Sequence, residues 1–105
     1  MISIDTLRKY YSEDAVFVTE HASMRFRQKG IKAKDIRHAV SNGEIIEQYP
    51  EDYPFPSCLI LGINQKNEVM HVVCGCNEEE VWIITAYYPD NKEWENDLKT
   101  RKGDK

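Results

Sequence analysis

Two histidines and one arginine pose the first chemical question. In "TEHASMRFRQKG", residues 19 to 30, His21 stands four positions before Arg25, which on a helix places the two one turn apart on a shared face. A guanidinium suits phosphate because its planar fork donates two parallel hydrogen bonds and stays charged. An imidazole exchanges a proton near neutral pH. Arg27 turns away from Arg25, and Lys29 follows it as a further cation. The second histidine, His71, lies in "EVMHVVCGC", and "VWIITAYY" follows with Thr85 and Tyr87. If both stretches are strands, alternation gives His71, Thr85 and Tyr87 one common face, with His71 opposite Thr85 or Tyr87 in a hairpin. An imidazole, a hydroxyl and a phenol on one face form a set for proton transfer and phosphate contact. The same residues have a structural reading, since a strand histidine is commonly a satisfied core residue and Thr and Tyr are good strand formers.

The charge pattern adds to this. The chain carries a net charge of -4, which by itself disfavours a nucleic-acid partner. Between residues 21 and 38, however, Arg25, Arg27, Lys29, Lys32, Lys34 and Arg37 face Asp35 alone, a local balance of six minus one, or +5. The acids gather elsewhere, at Glu44, Glu47, Glu51 and Asp52 and at Glu78, Glu79 and Glu80. Such asymmetry fits an anionic partner for the basic region, or a solvated pair of helices that happens to be basic. Cys58, Cys74 and Cys76 are odd in number and lack a framework spacing, so they read as small core residues rather than disulfides. On a strand His71 faces away from Cys74 and Cys76, so no metal site is expected, nor any cofactor.

The elements that must position these groups follow from periodicity and punctuation. The chain of 105 residues, 41% hydrophobic and 30% charged, suits one domain spanning residues 1–105, with a disordered tail over 101–105. It has no apolar run of membrane-spanning length and no basic-then-apolar opening, so a cytoplasmic, non-membrane protein is expected. Ser3 starts a helix carrying Ile4, Leu7, Tyr10 and Tyr11. "AVFVT" is an extended lead-in. Thr19 caps a helix that runs from about Glu20 to Lys29 and stops at Gly30. A second helix buries Ile36, Ala39 and Val40 and ends at Gly43. Strands follow at 44–49, 57–63, 68–76 and 81–88, joined by short turns, which implies antiparallel neighbours. "NKEWENDLK" reads as a final short helix pinned by Trp94 and Leu98. The expected fold is α+β: N-terminal helices on one face of a four-stranded antiparallel meander, then a short C-terminal helix.

The order of "EHASMRFRQKGI", "GEIIEQYPEDYPFPSCLILG", "VMHVV" and "WIITAYYPDNKEW" resembles a small bacterial and archaeal family of unknown function, DUF4258, which is grouped with RelE-type and barnase-like toxin ribonucleases. The resemblance covers roughly residues 16 to 101. It implies a sheet whose open face binds RNA, cleavage without a metal, and neutralisation by an antitoxin-like protein partner. It places the family's recurring polar residues on His21, Arg25, His71, Thr85 and Tyr87. His71 or His21 would then be the acid–base pair, Arg25 the phosphate clamp, and Thr85 or Tyr87 a phosphate donor, with Arg27 and Lys29 steering RNA. Two other readings stand beside the endoribonuclease: a non-catalytic RNA- or protein-binding module, and an oligomeric interaction protein using Val69, Val73, Val81 and Ile83 as an apolar patch.

Overall fold

The computed structural model describes residues 1–103. The chain runs α1 (Ile4–Ser12), β1 (Val16–Val18), α2 (Glu20–Lys29), α3 (Ala33–Asn42), β2 (Glu44–Tyr49), β3 (Ser57–Ile63), β4 (Val69–Cys76) and β5 (Val81–Tyr87). The five strands form one sheet in the order β1-β5-β4-β3-β2. The four-stranded antiparallel meander is present as β2 to β5, but the sheet is mixed, because β1 pairs parallel with β5. The "AVFVT" lead-in is thus an edge strand, three residues long. Its partner lies more than sixty residues away, and only a long crossover can bring a parallel partner alongside.

The helices form where their end signals stand. The Ser3 hydroxyl accepts from the Thr6 N–H at the start of α1, and the Thr19 hydroxyl accepts from the Ala22 N–H at the start of α2. Gly30 closes α2 in the left-handed conformation at φ 72°, where its N–H and that of Ile31 satisfy carbonyls of the last turn. All three helices lie on one side of the sheet. Leu7, Ala22, Phe26, Ile36, Ala39 and Val40 join Cys58, Ile60, Met70, Val72, Cys74 and Ala86 in a single core. The three thiols are free and buried, and burial pushes Cys58 up to about 12 and Cys74 well above its usual value, so these are inert core groups.

Two bulges decide which side chains share the opposite face. In β5, Val73 pairs with Thr85 but Cys74 pairs with Ile83, which leaves Ile84 as the extra residue. Everything before Ile84 is turned over. Val81 and Ile83 enter the core, while Trp82 turns outward to stack on Phe17 at 5.1 Å. This corrects the strict alternation that assigned Trp82 and Ile84 to the core, and it removes half of the apolar patch expected at Val69, Val73, Val81 and Ile83. In β2 the register shifts between Ile45 and Glu47, so that Glu47 pairs with Leu59 and Tyr49 with Ser57 on the face opposite the helices.

That face is not open. Residues 90–101 fold over it as turns rather than as the expected C-terminal helix. Asp90 accepts from the Lys92 N–H and Asp97 from the N–H groups of Lys99 and Thr100, so side chains take donors that a helix would need. Leu98 sits at φ 56°, in the left-handed region. Trp94 and Arg101 form an isolated antiparallel bridge, and Trp94 is 2% exposed. Trp94 does pin the segment to the body, but from a turn. Of the tail expected to be disordered, Arg101 is anchored and 104–105 lie outside the described residues.

Candidate functional site

The predicted site residues fall on two sides of the sheet. His71 pairs directly with Tyr87, as one of the two expected registers required, and Thr85 lies two residues along the same face opposite Val73. His21, Arg25, Arg27 and Lys29 are exposed on α2. Because α2 buries Ala22 and Phe26 in the core shared with Met70 and Val72, while His71 points the other way from β4, the helix groups and the strand groups occupy opposite layers. The structure brings His71, Thr85 and Tyr87 onto one face and His21, Arg25, Arg27 and Lys29 onto one helix, but it does not bring the two sets into one cleft.

His71 has no exposed surface. Its Nε2 lies 2.7 Å from the Leu98 carbonyl and its Nδ1 3.1 Å from the Tyr87 hydroxyl. A carbonyl only accepts, so Nε2 carries the hydrogen and Nδ1 accepts from the phenol. The rings of Trp94 and Tyr87 stand edge-on to the imidazole at 4.6 and 5.2 Å. Burial disfavours the imidazolium and holds His71 below the ordinary histidine value, outweighing the opposing pull of the Leu98 carbonyl. The folded protein therefore prefers the neutral ring. Its contribution to stability is complete above the unfolded-chain value of about 6.5 and is lost as pH falls from there through the lower native value. Melting temperatures at about pH 7 and about pH 5 should show this loss in the wild type, and His71→Phe should shrink the difference between them.

Beside His71 lies a polar cluster that the sequence did not single out. Arg101 donates from Nε to Glu47 Oε2 at 2.9 Å and from a terminal nitrogen to Oε1 at 3.1 Å, a two-pronged pair. The Tyr49 hydroxyl also donates to Glu47. Burial alone would raise Glu47, but the hydrogen bonds from Arg101 and Tyr49 outweigh it and hold the carboxyl below its usual range. Burial, together with the Glu47 carboxylate, pushes Tyr49 up to about 12. Arg101 also lies over the Trp94 ring at 4.6 Å, and Lys99 pairs with Glu44 at 3.2 Å. Glu47 and Arg101 are 54 residues apart, so no local spacing could have paired them.

The other layer carries unpaired charge. The ion pairs among the described residues join Asp5 with Arg8, Glu44 with Lys99 and Glu47 with Arg101. None involves Arg25, Arg27, Lys29, Lys32, Lys34 or Arg37, and all six are exposed. Arg37 lies 5.9 Å from the centre of the Tyr11 ring. The exposed sides of α2 and α3 thus present guanidinium and ammonium groups that pair with no carboxylate among the described residues. Among the described residues no group of three His, Cys, Asp or Glu side chains could hold a metal, and no helix is long and apolar enough to cross a membrane.

Fold and surfaces together describe a small α+β domain with helices on one face of a mixed sheet and a C-terminal strap on the other. Residues 18–88 match the family described as a domain of unknown function, DUF4258, and the chain belongs to that family. No curated protein and no solved structure matches the chain at a significant level.

Proposed function

We propose that the chain is a non-catalytic binding module that holds an acidic protein partner on the exposed surface of α2 and α3. The observation that carries this reading is the set of six cations, Arg25 to Arg37, none with a carboxylate partner among the described residues. Isolated exposed cations contribute little to folding, so a run of six along the exposed sides of α2 and α3 is better accounted for by an anion outside the chain. RNA fits less well. Single-stranded RNA is held by aromatic platforms as well as by charge, and the exposed large apolar side chain among these cations is Met24 rather than an aromatic ring. The acidic clusters at Glu78–Glu80 and at Glu51 and Asp52 would also repel a long polyanion that extends beyond the patch. A labelled acidic peptide should bind with an affinity that falls as salt rises, and the triple reversal Arg25→Glu/Arg27→Glu/Lys32→Glu should weaken it at least tenfold, about 1.4 kcal/mol. A single-stranded RNA of equal charge that binds as tightly or more tightly would contradict the reading.

One observation favours a second reading, the metal-independent endoribonuclease of a toxin–antitoxin system. Glu47, Tyr49, His71, Tyr87 and Arg101 gather on one sheet face, and a carboxylate base, a guanidinium and an imidazole are the groups that metal-free phosphodiester cleavage needs. On this reading His71, Thr85 and Tyr87 act together with Glu47 and Arg101, and His21 and Arg25 act only in steering RNA. The Leu98 carbonyl would have to leave His71 first. RNA cleaved in EDTA to cyclic phosphate ends, with Glu47→Gln and His71→Ala both inactive, would establish it. RNA left intact by the wild type across several substrates would remove it.

A further inference from the structure

We infer that the groove between β1, α2 and α3 takes an extended segment of the partner in which apolar anchor residues alternate with or are flanked by Asp and Glu. This inference rests on the reading that the α2–α3 surface binds an acidic protein, and it names how that partner is recognised. The groove has a volume of about 810 Å³, within the range of sites that hold a few side chains. Its floor is apolar, built by Val16 and Val18 from β1, Phe26 from α2, and Ile31 and Ile36 around the start of α3. No carboxylate lines it, whereas Arg27 and Lys32, both exposed, do. A smaller depression continues it through Tyr11, Val16 and Ala33 and adds Lys34 and Arg37, with Asp14 as its one acid. The apolar floor is therefore edged by two cations and adjoins a depression that carries two more.

Three features fit a peptide better than other occupants. First, β1 is an edge strand, so a chain can enter the groove from the side. Second, Val18 is 37% exposed although its neighbour Ile83 is buried, which leaves apolar surface that an anchor side chain would cover. Third, the aromatic rings lining the groove are Phe26, only 7% exposed, and Tyr11, half-buried, so neither offers the free face that a nucleic-acid base would stack upon. The free cations give the charge complementarity, and the hydrophobic floor gives the discrimination that charge alone lacks.

Two labelled synthetic peptides of equal length and charge separate the contributions. One carries Leu and Val anchors among its acids, and the other has Ser at those positions. The anchored peptide should bind about tenfold more tightly or better, since burying two or three such side chains is worth more than that factor. Ala33→Trp, at an exposed position that borders the groove, should remove this advantage, so that the anchored peptide binds no more tightly than the Ser peptide. Ser23→Trp, from the opposite wall, is the second variant should the first perturb α3, and a melting curve identifies a variant that has failed to fold. Equal affinity of the two peptides for the wild type would overturn the groove while leaving the charged surface as a binding site. If neither peptide binds at low salt, the proposed function fails with it. A concentration-dependent dimer that Ala33→Trp abolishes would show that a second copy of the chain is the occupant, and competition by RNA for the anchored peptide's site would show a nucleic acid there; either overturns the inference.

Discussion

Gly62→Ala is expected to cost about 3 kcal/mol of folding stability, a large effect for one methyl group. In this chain of 105 residues that loss corresponds to a fall in Tm of roughly 12 °C or more. A Cβ on Gly62 would run into the Ala39 carbonyl oxygen and lie within 2.8 Å of the Ala39 carbonyl carbon and Cα. Those atoms are helix backbone and cannot rotate away as a side-chain tip could. The helix α3 rests directly on β3 at this point, and the methyl group could be accommodated only by lifting α3 from the sheet. Lifting α3 would separate Ile36, Ala39 and Val40 from Ile60 and Met70, so the damage would extend beyond the contact itself. Urea unfolding of the purified variant checks the magnitude. A midpoint within error of the wild type would contradict this account of how α3 packs, and with it the position of the cationic surface that α3 carries.

Trp94→Ala should cost about 3 to 5 kcal/mol, the usual range for removing a large buried aromatic. Trp94 is the central residue of the C-terminal strap. It stands edge-on to His71, lies under Arg101, and is almost wholly buried. Its loss should have a specific signature as well as a magnitude. With the indole gone, water reaches the imidazole, and the native histidine value should rise toward its ordinary value as burial no longer disfavours the imidazolium. The stability difference between about pH 7 and about pH 5 should therefore shrink in Trp94→Ala, as it does in His71→Phe. Trp94→Phe, which keeps a ring over His71, should retain most of that pH dependence. Glu47 gives a separate window at lower pH. Its carboxyl is held below the ordinary value, so its contribution is present above the unfolded-chain value of about 4.3 and is lost on further acidification. Histidine ring signals followed by NMR against pH distinguish the two groups.

The parts of this structure that were legible in the sequence are those set by local chemistry. Thr19 and Gly30 delimit α2 because a cap hydroxyl and a left-handed glycine act within one turn. The apolar spacing of Ile36, Ala39 and Val40 gives the inner face of α3 in the same way. The meander of β2 to β5 follows from short connections. What was illegible depends on partners far along the chain. Val16 to Val18 is too short to announce itself as a strand, and its pairing with Val81 to Ile83 has no local cause. The extra residue Ile84 left no sign in the alternation of "VWIITAYY", yet it moved Val81 and Ile83 into the core. The strap failed to form a helix because Asp90 and Asp97 compete for backbone donors, a preference visible in the residue types but outweighed in the reading by the spacing of Trp94 and Leu98.

The candidate site divides in the same manner. The basic character of residues 25 to 37 was legible as a count, and the fold leaves those cations exposed and without an ion pair among the described residues. The opposition of His71 and Tyr87 was legible as one of two registers. The closing of that face was not, because it depends on Leu98, Trp94 and Arg101 arriving from the end of the chain. Sequence spacing gives residue types on one element, whereas a site joins several elements, and here the histidines and arginines that shared a chemical theme were separated by a whole β-layer.

The most direct test of the central claim is an NMR titration of the isotopically labelled protein with an acidic peptide, reading the backbone amides of both layers at once. Shifts confined to residues 23 to 37 and to Val16 and Val18, with the amides of Glu47, Tyr49, His71, Tyr87 and Arg101 unmoved, are the predicted result. Shifts centred on His71, Tyr87 and Arg101, with α2 and α3 silent, would contradict it and move the functional surface to the other face of the sheet.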